Sequence, residues 1–229
     1  MDFSRRIDDV SLGFIEEPEV DAEVALLAFG GIKGGLGVPP YEFFRITEGL
    51  PARRLFVRDL DQVWYLAGIR GLGGSVEDAA AGIRDALTGI RRTVAVGNSA
   101  GGFGAILLGT LAGVDEVHVF SPQTAIDRRH RVRWLDLRWP RQMFHVRRLA
   151  KISPNHLDLR VLLEARSSVP RIHVHYCGTH GRDVAHARHL EGLPTVTLHE
   201  HPGRSGHRLV TELRDRGELQ PMLRRALGS

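Results

Sequence analysis

Arg92-Thr-Val-Ala-Val-Gly-Asn-Ser-Ala-Gly-Gly-Phe-Gly-Ala-Ile-Leu-Leu-Gly109 reads as an apolar strand, a glycine-rich turn and an apolar helix in direct succession. Within it, Gly97-Asn-Ser-Ala-Gly101 has the G-x-S-x-G spacing of a nucleophile elbow. A chain that passes from strand to helix in so few residues holds the serine in a strained backbone conformation. Its neighbours two positions away must be nearly free of side chain, and Gly97 and Gly101 meet that demand. Gly102 lets the helix approach the sheet, and the helix N-terminus aims free amides at any oxyanion formed on Ser99. The five-residue string alone is weak. The β-branched Val94 and Val96 before it and the run Phe103 to Leu111 after it supply the context that gives it meaning. The competing reading is a tight structural turn with no chemistry.

Outward from this stretch the chain alternates strands and helices. Val24-Ala-Leu-Leu-Ala-Phe29 is continuously apolar, as expected of a strand buried on both faces of a parallel sheet. Arg54 to Arg58, Val117 to Phe120, Arg171 to Cys177 and Thr195 to His199 read as further strands. Ser75-Val-Glu-Asp78 resembles a capping box, with Ala79, Ile83 and Leu87 at helical spacing behind it, and Gly113 ends the helix after Ser99. Asp183 to Leu190 and Arg208 to Leu227 read as helices, the second basic and terminal, while Asp59 to Ile69 reads as a turn with an apolar segment. The pattern predicts one α/β domain over 1–229, a doubly wound, mostly parallel sheet with helices on both faces.

The first buried strand leads into Gly30-Gly-Ile-Lys-Gly-Gly-Leu-Gly37, which invites a phosphate-cradle reading. Neither common form fits: Lys33 is followed by glycine rather than Ser or Thr, and Pro39 and Pro40 stand where a dinucleotide-binding helix would begin.

Composition bounds the rest. An apolar fraction of 42% and a charged fraction of 25% are those of an ordinary globular protein. The first residues mix both charge signs where a signal peptide needs an apolar block, and no apolar run has the length of a membrane span, so a cytoplasmic protein without a membrane partner is expected. Residues 1–21 read as an arm carrying Glu16, Glu17, Glu19 and Asp21, with no function assigned. Cys177 is the single cysteine and excludes an intrachain disulfide. The net charge of +4 favours an anionic ligand but is too small, without a clustered binding motif, to imply nucleic acid.

An activated serine needs a base within reach and a third group to orient that base. Asp183 lies in the turn after one late strand, in Gly178-Thr-His-Gly-Arg-Asp183, and His207 lies after the last, in Pro202-Gly-Arg-Ser-Gly-His207. Both belong to loops at the carboxyl ends of strands, where α/β sheets collect their functional groups. In this order of Ser, acid and His the chain resembles the α/β-hydrolase superfamily over roughly residues 22–227. The resemblance implies Ser99 as nucleophile, His207 as general base and then acid, and Asp183 as the residue orienting His207. It also implies an oxyanion hole made by the Ala100 amide and one from Gly30, Gly31 or Ile32. Phe29 stands where many lipases and esterases carry the His of a His-Gly motif. Asp127 is a rival acid, and His199 and His201 are rival bases.

No cofactor is expected. A zinc site on His173, His175 and Cys177, which share one face of a strand, with His180 nearby, is chemically conceivable, but it leaves the elbow unexplained and no metal is assigned. Residues 121–168, after the strand ending at Phe120, interleave arginines with aromatics where the superfamily inserts a cap. Arg131, Trp134, Arg138 and Trp139 are therefore expected over Ser99, contacting a substrate with an anionic part. The competing reading is a solvated basic face with the tryptophans packed inward.

The expected activity is hydrolysis of an ester or thioester through an acyl-enzyme. Transfer of the acyl group to a sugar or other alcohol is the alternative, since the elbow sequence together with Phe120-Ser-Pro-Gln123 is similar to compact α/β-hydrolase-like proteins of glycan acylation and capsule biosynthesis. A non-catalytic ligand-binding protein on the same fold is the third reading.

Overall fold

The computed structural model describes residues 7, 9–17, 22–32, 41–149, 152–202 and 206–228. The expectations for Glu19 and Asp21, for Lys33 to Pro40 and for Gly203 to Ser205 fall outside the described residues. Among the described residues seven strands form one sheet: β1 (Phe14–Glu16), β2 (Val24–Phe29), β3 (Arg53–Val57), β4 (Arg92–Asn98), β5 (Glu116–Phe120), β6 (Arg171–Cys177) and β7 (Val196–His201). Their order is β1-β3-β2-β4-β5-β6-β7, with β1 antiparallel to β3 and every other pair parallel.

The inner strands alternate between two cores, which is why their sequences are apolar without a break. Leu27, Phe29, Ala95 and Val119 face the helices α1 (Val76–Ala86) and α2 (Ala100–Ala112), meeting Ile83, Phe103 and Ile106. Leu26, Ala28, Val94 and Val96 face the other way, toward Leu213, Leu219 and Leu223. Helix α1 starts as its sequence predicts, the Ser75 side chain accepting from the Asp78 amide at 3.0 Å, and α2 ends on Gly113 in the left-handed region at φ 83°.

Between β5 and β6 the described residues form three short α-helices, α3 (Arg128–Arg133), α4 (Pro140–Val146) and α5 (Leu159–Glu164), and a 3-10 turn at Pro154–His156. Helix α6 (Gly181–His189) joins β6 to β7.

Two elements differ from the sequence reading. Part of the acidic arm is strand β1, which pairs with β3 and buries Ile15, while Glu16 and Glu17 meet Arg53 and Arg54. The basic terminal helix is two helices, α7 (Leu209–Asp215) and α8 (Leu219–Ala226), separated by Gly217 at φ 72°. No helix among the described residues is long and apolar enough to cross a membrane.

Candidate active site

Ser99 occupies the turn between β4 and α2 with φ 55° and ψ −117°, a conformation non-glycine residues adopt only when their surroundings impose it. The ends of the turn are pinned by Ser99 N–H donating to the Phe120 carbonyl at 2.9 Å and Gln123 N–H donating to the Ser99 carbonyl at 3.3 Å. A side chain on Gly97 would overlap the Gly101 carbonyl, and one on Gly101 would overlap the carbonyl of Phe29. The glycines of the motif are thus required by close approach of backbone to backbone.

His207, just before α7, places Nε2 2.8 Å from Ser99 Oγ, and its Nδ1 lies 3.0 Å and 3.1 Å from the two oxygens of Asp183. Asp183 sits in the first turn of α6, fully buried, where the helix dipole favours its charge. Burial presses its pKa upward, but the His207 hydrogen bond and the proximity of His207 and His180 outweigh this and hold it below the usual carboxylate value.

The rival residues are elsewhere. Asp127 caps α3, accepting from the amides of Arg129 and His130, and pairs with the His130 ring. His199 and His201 pair with His173 and His175.

Both glycines expected to feed an oxyanion hole have amides already engaged: Gly30 donates to the Val57 carbonyl at 3.0 Å, and Gly31 to Oε2 of Glu42 at 2.7 Å. This corrects the expected donor for Gly30, whose bond continues the β2–β3 ladder. Glu42 was not anticipated from the sequence, and with 4% exposure it also accepts from the Asn98 side chain at 3.1 Å. Burial raises the pKa of Glu42 against the opposing effect of those two hydrogen bonds. On the other side, Ala100 opens α2 and its amide has no partner within the helix.

A cleft of about 250 Å³ lies over Ser99, lined by Gly31, Ile32, Trp139, His207 and Arg208 among others. Of the four residues expected to meet a substrate, Trp139 is the one on this lining. The others do not line it, against the expectation that they stand over Ser99. Arg131 is buried and donates to the Arg138 carbonyl at 2.7 Å, while Trp134 packs on His130, His186 and His189. Arg138 pairs bidentately with Asp136 at 2.8 Å and 2.7 Å, with its Nη1 3.6 Å from Asp183 Oδ1 and 3.3 Å from His207 Nδ1. Asp136 is in turn 3.1 Å from His186 Nε2, and His186 Nδ1 accepts from the Thr124 amide at 3.0 Å. The segment therefore braces the acid of the site from behind. Arg208, exposed at the cleft, is a cation the sequence reading passed over.

A second cluster lies on the sheet face that carries α7 and α8. The expected zinc candidates divide: His180 turns to Asp183 at 3.0 Å, and the Cys177 thiol lies 3.0 Å from the Thr179 hydroxyl. His173 and His175 instead join Glu116 and His118 of β5 and His199 and His201 of β7. The signal was present as Glu116-Val-His118, His173-Val-His175 and His199-Glu-His201, period-two pairs in three consecutive strands, but it needs the strand register to be recognised. Burial and the neighbouring rings lower the His173 pKa to about 4 and that of His175 well below the ordinary value.

No family model matches the sequence, and no curated protein matches it. Solved structures do. The capsule O-acetyltransferase of Neisseria meningitidis serogroup A superposes with a TM-score of 0.61 at 14% identity, over 90% of this chain and 89% of that one. A hormone-sensitive lipase from a metagenome library superposes with a TM-score of 0.59 at 14% identity, over 94% of this chain and 84% of that one.

Proposed function

We propose that this chain, whose fold is that of the α/β-hydrolases, is a serine-nucleophile enzyme that cleaves a carboxylic ester or thioester. The observation that carries the reading is the continuous line from Ser99 Oγ through both ring nitrogens of His207 to buried Asp183. His207 Nε2 takes the hydroxyl proton as Ser99 Oγ bonds to the substrate carbonyl carbon, and Asp183 fixes the tautomer and balances the imidazolium. The carbonyl oxygen becomes an oxyanion held by the Ala100 amide and by the loop after β2, where the Ile32 amide, or that of Gly31 once released by Glu42, supplies the second donor. Collapse breaks the bond to the leaving alcohol or thiol, which receives the proton from His207. Water, deprotonated by the same ring, then attacks the acyl-enzyme and releases the acid and free Ser99. The Arg208 side chain at the cleft suits a substrate with an anionic part.

Acyl transfer is the second reading, in which a sugar or other alcohol replaces water in the last step. Its support is the likeness to the capsule O-acetyltransferase, a variant of which has been solved in complex with CoA.

The test is labelling with a fluorophosphonate probe, read by intact mass. One adduct is expected on the wild type, absent from Ser99→Ala and strongly slowed in His207→Ala. An unlabelled wild type would set the acyl-enzyme chemistry aside. Product analysis of acyl-CoA and ester turnover, with and without an added alcohol, separates hydrolysis from transfer.

A further inference from the structure

The imidazoles of β5, β6 and β7 form an ordered array with one convergent end. Oε1 of Glu116 lies 2.8 Å from His118 Nε2 and 3.6 Å from His173 Nε2, and the three donor atoms all fall within 4.8 Å of one another. Donors around a tetrahedral ion with metal–nitrogen bonds of 2.0–2.1 Å are about 3.3 Å apart, so these two separations bracket the value such a site needs.

Behind each donor stands a partner. His118 Nδ1 is 3.5 Å from His175 Nε2, and His175 Nδ1 is 3.1 Å from His201 Nε2. His173 Nδ1 is 3.0 Å from His199 Nε2. The second oxygen of Glu116 is held by Arg92 at 3.0 Å and Arg171 at 2.8 Å, which leaves Oε1 directed at the rings.

Each neutral ring carries one proton, so the two chains of imidazoles run in one of two senses. In one, every Nε2–H donates toward Glu116 and the array is a closed hydrogen-bond ladder. In the other, every Nδ1–H donates away from it, and the Nε2 lone pairs of His118 and His173 are free to meet at a point beside Oε1. A ligating histidine that passes its other N–H to a fixed acceptor is the usual support of a metal site, and here that support is already built for both rings.

We propose that Glu116, His118 and His173 bind a divalent transition-metal ion, for which the two-imidazole, one-carboxylate donor set best suits zinc. His199 and His175 hold the ligating tautomers. The remaining coordination position opens on a cavity of about 760 Å³, bounded by Glu218, Met222 and Arg225 around α8. Glu116 begins β5 and Phe120, which anchors Ser99, ends it, so the ion stands about 13 Å along the strand from the serine, outside the acyl chemistry.

The test is calorimetric titration of chelator-treated, full-length protein with Zn²⁺, and with Co²⁺ followed by visible absorption. One ion per chain is expected, with the absorption of a four-coordinate cobalt site. His173→Gln and Glu116→Gln should each abolish the signal, and His199→Gln should weaken binding about tenfold to a hundredfold. His207→Ala and His130→Ala should leave it unchanged, the former ruling out the serine site and the latter the His130, Asp158 and His189 group. A nitrogen-15 spectrum of the wild-type histidines reports on the unmutated fold: in the zinc-loaded protein His118 and His173 should carry their protons on Nδ1, with Nε2 shifted by the ion. No uptake by the folded wild type, uptake indifferent to His173→Gln, or protons that stay on Nε2 of His118 and His173 in the zinc-loaded protein would overturn the proposal and leave a hydrogen-bond ladder.

Discussion

Arg138 reaches the buried carboxylate of Asp183 from within the segment between β5 and β6, its guanidinium 3.6 Å from an oxygen that also faces His207. The same guanidinium is clamped by Asp136, so the segment between β5 and β6 and the buried Asp183 share one charge network.

Arg138→Gln removes the clamp while leaving Ser99, His207 and Asp183 in the chain. Loss of positioning on this scale lowers reactivity about tenfold to a hundredfold, and most of the loss should fall on kcat because Arg138 is turned away from the cleft. Steady-state kinetics on the best ester found would check it. A change confined to KM would instead mark Arg138 as a substrate contact.

Asp136→Asn leaves Arg138 and His186 with a weakened partner in a buried place, and should reduce stability by about 3 kcal/mol. Burial presses the Asp136 carboxyl upward, but Arg138 and His186 hold it far below the usual carboxylate range. Its contribution is therefore complete at neutral pH and is lost only in strong acid. Urea unfolding of both proteins at neutral pH gives the difference directly.

Glu42 makes the opposite kind of prediction. Its raised pKa places the change from acid to carboxylate higher in pH than for an exposed glutamate. Once ionised, it sets a negative charge on the Gly31 amide, beside the position proposed for the oxyanion. Glu42→Gln keeps an acceptor without the charge, so its activity relative to wild type should rise with pH, by about tenfold at the alkaline end. A ratio that stays flat across the pH series counts against any such influence.

Asp59 tests the fold rather than the site. It accepts from the Tyr65 amide at 2.9 Å, and burial pushes its pKa up to about 6 despite that bond. The folded protein thus holds the proton more tightly than the unfolded chain, and this residue's contribution falls as pH climbs from about 4 to about 6. Asp59→Asn should match wild type in thermal unfolding near the acid end of that window and exceed it at neutral pH. A Tm gap that fails to widen between the two would contradict the assignment.

Gly101→Ala asks whether the elbow glycines serve close approach. The new methyl would meet the Phe29 carbonyl, which belongs to a central strand and has no room to withdraw. A loss of about 3 kcal/mol or outright failure to fold is expected. Differential scanning calorimetry distinguishes this from a variant that is merely inactive.

The fold was legible because its inner strands are apolar on both faces and its turns carry glycine where the backbone needs it. Strand β1 was not, since three residues of ordinary composition become a strand only when β3 lies alongside to pair with them and Ile15 reaches the core. The contacts among Ser99, His207 and Asp183 join residues that the order of serine, acid and histidine along the chain had singled out. The bracing by Arg138 did not, because an arginine in a basic segment looks the same whether it faces solvent or a buried carboxylate. Glu42 lay eleven residues from Gly31 across a stretch with no periodic signal, and only the folded chain brings the two together.

Strand β5 is hydrogen-bonded to β4 along one side and to β6 along the other, with Phe120 at one tip and Glu116 at the other. A strand so clamped cannot slip without breaking two ladders at once, which makes it a strut of fixed length inside the molecule. The serine can be blocked, tagged or replaced at one tip while the imidazoles at the other keep their places. A spectroscopic reporter at each tip would turn that strut into a built-in ruler, holding one reading through every turnover and losing it only when the sheet itself comes apart.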